Sequence, residues 1–396
     1  MDGREGSKGV HFLGAAAPGG TFRGFDSRRL HQSPRNSTTF TADVSETHDV
    51  AIPVGGGVLS STWLSSVLEE SHEWPHGSVR VRSTRRIGTE HGLSGQIHRV
   101  AIETERGGPR SIVVKQETAA AVDRELLFRS HCGELVHGSI PDLLCGLTDP
   151  DAERGVLVLE DIAPAEQGDV LHGCNEEQSE AVVRVLARLH GCSRSVVGEP
   201  EEADLPRWTA DPMESERWRN RLGRASERFP EILGPSVLSL LDLPDRVVDT
   251  GRVLSEGQSS WLQVDAHLDN TLFRPDGTVV LLDWCNAAIG PPVLDLARFL
   301  TEGVVEPIRR DRVTALLSLY TEELRLLGVG HVSVVELASS FEVALPPLLQ
   351  GAIGWAGRDD LELGARATAV CESFLRSMCG WVLGDESGSQ QGSKVL

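Results

Sequence analysis

No C-x-x-C pair occurs among the seven cysteines of the 396-residue chain, and their number is odd. Neither a disulfide framework nor a zinc site is therefore signalled, and a reducing cytoplasm is the expected compartment. No apolar run approaches the roughly 18 residues that span a bilayer, and no short hydrophobic core of a secretory signal follows the N-terminus. Basic residues are scarce relative to acidic ones, 38 against 58, for a formal net charge of -20. Such a field repels phosphate backbones and anionic lipid, which argues against nucleic acid or membrane as partners and is compatible with a cationic small molecule. No internal repeat is present, and no obligate protein partner is inferred.

Residues 1–50 are rich in Gly, Ser, Thr and Arg without hydrophobic periodicity, the composition of a disordered extension. A short helix is expected over 58–70, where Leu59, Trp63, Leu64, Val67 and Leu68 recur at helical spacing. Segments 78–87, 96–103 and 110–116 read as a three-stranded antiparallel meander, followed by a helix at 118–131 and a strand at 156–159. The chain then turns helical, with Val182, Val185, Leu186 and Leu189 as one stripe and further helices near 211–229, 307–327, 333–350 and 363–382. One β-hairpin, 261–283, interrupts them. The expected division is 1–50 extension, 51–160 β-rich nucleotide-binding lobe, 161–385 helical lobe with catalytic loop and acceptor site, and 386–396 flexible tail.

The hairpin carries the most chemistry. Pro275, Asp276 and Gly277 supply turn residues between the apolar runs 271–273 and 278–282, so the runs should pair and bring Asn270 opposite 281–283. Asp283 and Asn270 then become neighbours, a carboxylate beside an amide oxygen, which is the hard oxygen pair that suits Mg²⁺. Asp265, five residues before Asn270, is placed to accept a hydrogen bond from an incoming hydroxyl. Asp, Asn and Gly at hairpin ends also serve as plain turn residues; their combination with the following Asp-Trp is what points to catalysis.

Upstream, Gly88, Gly92 and Gly95 surround Ser94 in a strand-loop-strand setting where backbone N–H groups can approach phosphate oxygens, although three glycines also make a flexible turn. Lys115 ends an apolar strand and needs an anionic partner. Glu125 is the candidate, because Val122, Glu125 and Phe128 share one helix face. The alternative is a structural salt bridge.

The run Asp265, Asn270, Asp283-Trp284 resembles the catalytic loop and metal-binding strand of the aminoglycoside phosphotransferase and choline kinase superfamily, including its ecdysteroid-kinase-like branch. Gly290-Pro291-Pro292 and Asp295-Leu296-Ala297 resemble a downstream segment whose Asp braces that loop. The resemblance implies an α+β, bilobal protein-kinase-like fold, with a small β-rich N-lobe bearing one main helix and a larger, mostly helical C-lobe. It implies ATP and Mg²⁺ as cofactors, with Asp265 as catalytic residue and Asn270 and Asp283 as metal ligands. Lys115 with Glu125, Gly92, Ser94 and Gly95 would hold phosphate, and backbone groups of Glu160 to Ile162 the adenine edge. His190 is read as a packed or capping histidine.

The pattern departs at Gln263 and Val264, where the family usually has His and Gly, and at Cys285. The implied activity is transfer of the γ-phosphoryl group to a hydroxyl of a small molecule. An aminoglycoside-like or other aminated natural product is the leading acceptor; Asp359, Asp360 and Glu362 are either charge for its amino groups or a solvated helix face. Choline-like, steroid or sugar alcohols remain open, as does a nucleotide-binding scaffold without turnover. A protein kinase lacks support, since no Asp-Phe-Gly or Ala-Pro-Glu segment is present.

Overall fold

The computed structural model describes residue 52 and residues 59–71, 74–88, 95–132, 136–196, 205–303, 309–329, 332–359 and 363–383. The expected N-terminal extension, C-terminal tail, Gly92, Ser94, Asp360 and Glu362 lie outside them. The chain divides into two compact units that meet in sequence between Ala163 and Pro164.

The first unit contains α1 (Ser61–Glu69), β1 (Val79–Ile87), β2 (Gln96–Thr104), β3 (Ser111–Glu117), α2 (Ala119–Cys132), β4 (Leu143–Asp149) and β5 (Arg154–Glu160). The strands form one antiparallel sheet in the order β1-β2-β3-β5-β4. Side chains alternate between its faces, as the pleat requires. Val100, Ile112, Val114, Val156 and Val158 pack on one side with Leu64, Val67 and Leu68 of α1. Leu157 and Leu159 turn to the other, against Val122 and Leu126 of α2. The expected meander is present, and β4 adds a strand that its mixed composition conceals.

The second unit begins with β6 (Glu166–Gln167) and α3 (Glu176–Val196), then α4 (Ser215–Arg228), α5 (Pro230–Leu233) and α6 (Leu243–Ser255). The short strands β7 (Ser260–Leu262), β8 (Thr271–Phe273), β9 (Val279–Leu281) and β10 (Ala288–Gly290) follow. Helices α7 (Val293–Glu302), α8 (Arg309–Leu326), α9 (Val334–Ala356) and α10 (Ala365–Leu383) complete it.

Thr271 pairs with Leu281 and Phe273 with Val279, as the turn chemistry predicts. The hairpin does not begin at 261, however: β7 pairs with β10, Trp261 opposite Ile289, so the chain leaves one small sheet and enters another across residues 263–270. That crossing segment is where the candidate residues Asp265 and Asn270 fall. Helix α9 carries Pro346 and Pro347 in its interior and runs six residues past its expected end, with nearly all of 344–356 buried. Apolar burial there outweighs the proline penalty of about 3 kcal/mol. No helix among the described residues is long and apolar enough to cross a membrane.

Candidate active site

The crossing segment is held from below by one side chain. Asp295, in the first turn of α7, is fully buried. Its Oδ2 accepts from the Gln263 amide at 2.7 Å and its Oδ1 from the Val264 amide at 2.8 Å. His190 stands 3.3 Å from the same Oδ2 and 2.8 Å from the Tyr320 hydroxyl. This is the bracing role the resemblance implies for Asp295, and His190 has the packed role expected of it.

The clamp also explains a departure in the sequence. Val264 has φ +70°, a left-handed conformation that suits glycine and penalises a β-branched residue. Two charge-assisted hydrogen bonds to adjacent amides hold the backbone there. Gln263, the other departure, is buried, and its Nε2 donates to the carbonyl of Leu282, the residue before Asp283. It thus ties the segment to the hairpin's second strand, a connection available to any buried side chain with a donor in that position.

Above the clamp, Asp265 has both carboxylate oxygens engaged. Oδ1 accepts from Arg298 Nη2 at 3.3 Å; Oδ2 lies 3.4 Å from Asn270 Nδ2 and 3.5 Å from His267 Nε2. Burial alone would lift its pKa, but His267, Arg298 and Asn270 outweigh that and hold it down to about 2. Burial works against protonating His267, yet Asp265 beside it leaves its pKa raised. The ring Nε2 is 3.1 Å from Asn270 Nδ2, so it accepts from the amide when neutral and donates to Asp265 when protonated.

The Asn270 amide nitrogen meets the Asp265 carbonyl at 3.1 Å as well as the carboxylate. Two acceptors on that side fix the orientation of the amide. Its Oδ1 accepts no hydrogen bond from the described residues and is the atom left for a cation. The Leu282 amide donates to the Asn270 carbonyl at 2.8 Å, which sets Asp283 one residue beyond the point of closest approach. Asp283 has φ +58°, and its Oδ1 lies 3.4 Å from the Cys285 amide. That contact uses only the backbone of Cys285. A carboxylate and an amide oxygen from facing strands are donors of the type Mg²⁺ prefers.

Sequence reasoning missed three members of this network. His267 lies between Asp265 and Asn270 in sequence and resembles an ordinary loop residue. Arg298 comes from α7, where nothing in the local pattern distinguishes it from a solvated arginine, yet it is only 1% exposed. Arg366 of α10 joins Asp169 and Asp269, with Nη2 3.1 Å from Asp269 Oδ2 and Nη1 3.1 Å from Asp169 Oδ2. It pins the loop to the last helix.

In the β-rich unit, Lys115 and Glu125 are both buried, with Nζ 3.3 Å from Oε2. Lys115 shares the sheet face of Leu157, which looks toward α2, so the pleat and the helix face expected for Glu125 together make the pair. The other oxygen of Glu125 accepts from Nε and Nη2 of Arg129, at 3.2 and 2.8 Å, one helical turn on. Arg129 was legible only as an i,i+4 spacing.

Gly88 and Gly95 bracket residues 89–94 and both have positive φ, +71° and +73°. A Cβ at Gly95 would also come within 2.8 Å of the Gln116 carbonyl. The Glu160 amide is taken by the Asp142 carbonyl at 2.9 Å, because β4 lies alongside. Asp161 itself pairs with Arg99 at 2.9 Å and accepts from Ser111 at 2.6 Å. Asp359 forms an exposed ion pair with Arg224.

The model of the phosphotransferase enzyme family APH matches residues 91–327, more than half of the sequence. The chain belongs to this family. It is accordingly a small-molecule phosphotransferase acting on hydroxyl groups, with the kinase-like fold expected above. Among solved structures, a protein described as an aminoglycoside phosphotransferase from Ralstonia eutropha JMP134 is similar at 14% identity, with a TM-score of 0.52. That likeness covers 81% of this chain and 97% of the other. Choline kinase LicA from Streptococcus pneumoniae is similar at 16% identity and TM-score 0.49, over 76% of this chain and 94% of its own. At 14% identity the fold is what the first of these shares with the chain. No protein with a curated description matches the sequence.

Proposed function

We propose that this phosphotransferase moves the γ-phosphoryl group of MgATP to a hydroxyl of an aminated small molecule, an aminoglycoside-like natural product or, failing that, a choline-like alcohol. The observation that carries the reading is the fixed carboxylate of Asp265 beside an Asn270 amide whose oxygen is turned away from its protein partners. Phosphoryl transfer passes through a loose transition state that asks little of a base and much of placement. A carboxylate held at about 2 is a weak proton acceptor but a well-oriented hydrogen-bond acceptor. Asp265 thus aligns the acceptor hydroxyl and takes its proton late.

Asn270 and Asp283 are the residues that would hold Mg²⁺, which when bound neutralises charge on the nucleotide phosphates. In the β-rich unit, Lys115, oriented by Glu125, is the proposed phosphate contact. Gly95, with Gly92 and Ser94, would supply backbone N–H groups to the same end, and residues around Ile162 the adenine edge. The net charge of -20 favours a cationic acceptor over a neutral steroid or sugar. The bracing of residues 263–264 by Asp295 speaks for retained turnover despite Gln263 and Val264, and so against a scaffold role.

A coupled ADP-release assay over a panel of aminated and neutral alcohols tests the reading. Stimulation by aminated acceptors, with none from neutral ones, is the expected outcome. ATP binding without turnover on every acceptor would favour the scaffold instead. In the same assay Lys115→Met is expected to lower kcat/KM for MgATP roughly 100-fold. Its urea midpoint should change little, since Glu125 retains the Arg129 guanidinium; a loss of stability without a loss of turnover would make the pair structural only.

A further inference from the structure

Arg298 sits at the centre of a buried charge cluster that the proposed chemistry does not use. Its guanidinium meets Asp265 Oδ1 at 3.3 Å and Glu302 Oε2 at 2.9 Å, and lies 5.0 Å from the centre of the Phe374 ring. Glu302 is one turn further along α7, and its side chain is fully buried. A glutamate that only completed a helix-surface ion pair would face water, where such pairs contribute little. This one is desolvated, which is costly unless its position has a use.

We propose that Arg298 and Glu302 form a positioning pair for Asp265, in which Glu302 anchors the guanidinium and the guanidinium sets the orientation of the carboxylate that aligns the acceptor hydroxyl. The inference rests on the proposed role of Asp265. Three features fit it. Arg298 uses different nitrogens for its two partners, Nη2 for Asp265 and Nε for Glu302, so the rigid fork transmits the position of one carboxylate to the other. Phe374 of α10 covers the guanidinium and keeps it from swinging out. Asn270 and His267 hold the remaining oxygen of Asp265, so only Arg298 governs Oδ1 among the described contacts.

The charged groups that face Glu302 are Arg298 on its own helix and Asp265, His267 and Asp269 from the segment between β7 and β8. Arg366 of α10 offsets Asp269. Burial lifts the Glu302 pKa to about 7, against the pull of Arg298 and His267. A carboxyl raised above its unfolded value binds its proton more tightly when folded. Its contribution to stability is therefore full below the unfolded pKa and is lost as pH rises through about 7.

The test uses the full chain with the substitutions Glu302→Gln, which keeps volume and hydrogen-bonding capacity, Arg298→Lys, which keeps charge but loses the fork, and Asp265→Asn. Urea unfolding from pH 5 to 8 needs no acceptor. Wild-type stability should fall relative to Glu302→Gln between pH 5 and 7, and parallel curves would overturn the proposal. With the acceptor found in the panel, Arg298→Lys should lower kcat roughly 100-fold while KM for MgATP stays within about twofold. Wild-type kcat is expected to show an inflection near pH 7, and Glu302→Gln should lose it. A rise in KM alone, or activity falling only in proportion to the folded fraction, would mean the pair is merely structural. Should Arg298→Lys not fold, the pH profile of Glu302→Gln decides. If Asp265→Asn retains wild-type kcat, the functional reading fails, while the urea curves still report separately on the coupling of Glu302.

Discussion

Replacing Asp265 by Asn is expected to reduce kcat by about 10³-fold while leaving the protein folded. The amide is isosteric, its oxygen takes over one of the two acceptor positions, toward Arg298 or toward Asn270 and His267, and the Asp295 clamp on the backbone of 263–264 keeps the loop in shape. What disappears is the negative charge that draws the acceptor hydroxyl into line. Because the carboxylate is held at about 2, it is ionised throughout the working pH range. Any acidic limb of the wild-type profile between pH 5 and 8 must then come from another group, and the same limb should persist in whatever activity Asp265→Asn retains. Steady-state ADP release with a matched circular-dichroism spectrum checks both points. Wild-type turnover in the variant would remove Asp265 from the mechanism.

The second large effect is structural. Asp295→Ala should cost about 3 to 5 kcal/mol, because it leaves the buried amides of Gln263 and Val264 and the His190 ring without their shared acceptor. It also releases Val264 from φ +70°, so the segment carrying Asp265 is free to relax into an extended conformation. Loss of activity should therefore exceed the loss of folded protein. A urea midpoint measured beside kcat at a temperature where the variant is still folded separates the two contributions. An unchanged midpoint would show that the clamp is not what holds the segment. Asp295→Asn should fall between, since one of the two acceptors survives.

Local chemistry made part of this site readable. Pro275, Asp276 and Gly277 announce the turn, and once 271–273 pairs with 279–281 the neighbours Asn270 and Leu282 follow from the two-residue period of strands. Lys115 and Glu125 were readable for a similar reason: a cation at the end of a buried strand and an acid on the apolar face of the next helix have few other ways to be satisfied. The pairing of β7 with β10 was not readable, because three-residue strands carry too little pattern to choose a partner. Nor was β4, whose residues are mostly half-buried and show no clean alternation.

Arg298, Glu302 and Arg366 illustrate the other limit. Each is a charged residue on a helix, and sequence periodicity treats such residues as solvent-facing. Arg298 and Arg366 instead meet the segment between β7 and β8, and Glu302 meets Arg298, on helices whose apolar faces are buried, with Phe299 and Leu300 on α7 and Phe374 and Leu375 on α10.

The order of residues by itself determined the family and the hairpin and singled out Asp265, Asn270, Asp283, Lys115 and Glu125 as the side chains proposed to carry the chemistry, since these depend on turn propensity and spacing within a few residues. Only the tertiary structure decided how Asp265 is held, through Asp295 below and Arg298 beside it. Those contacts join residues some thirty positions apart, and which buried charge meets which is set by how helices pack, a long-range outcome that no local window of sequence contains.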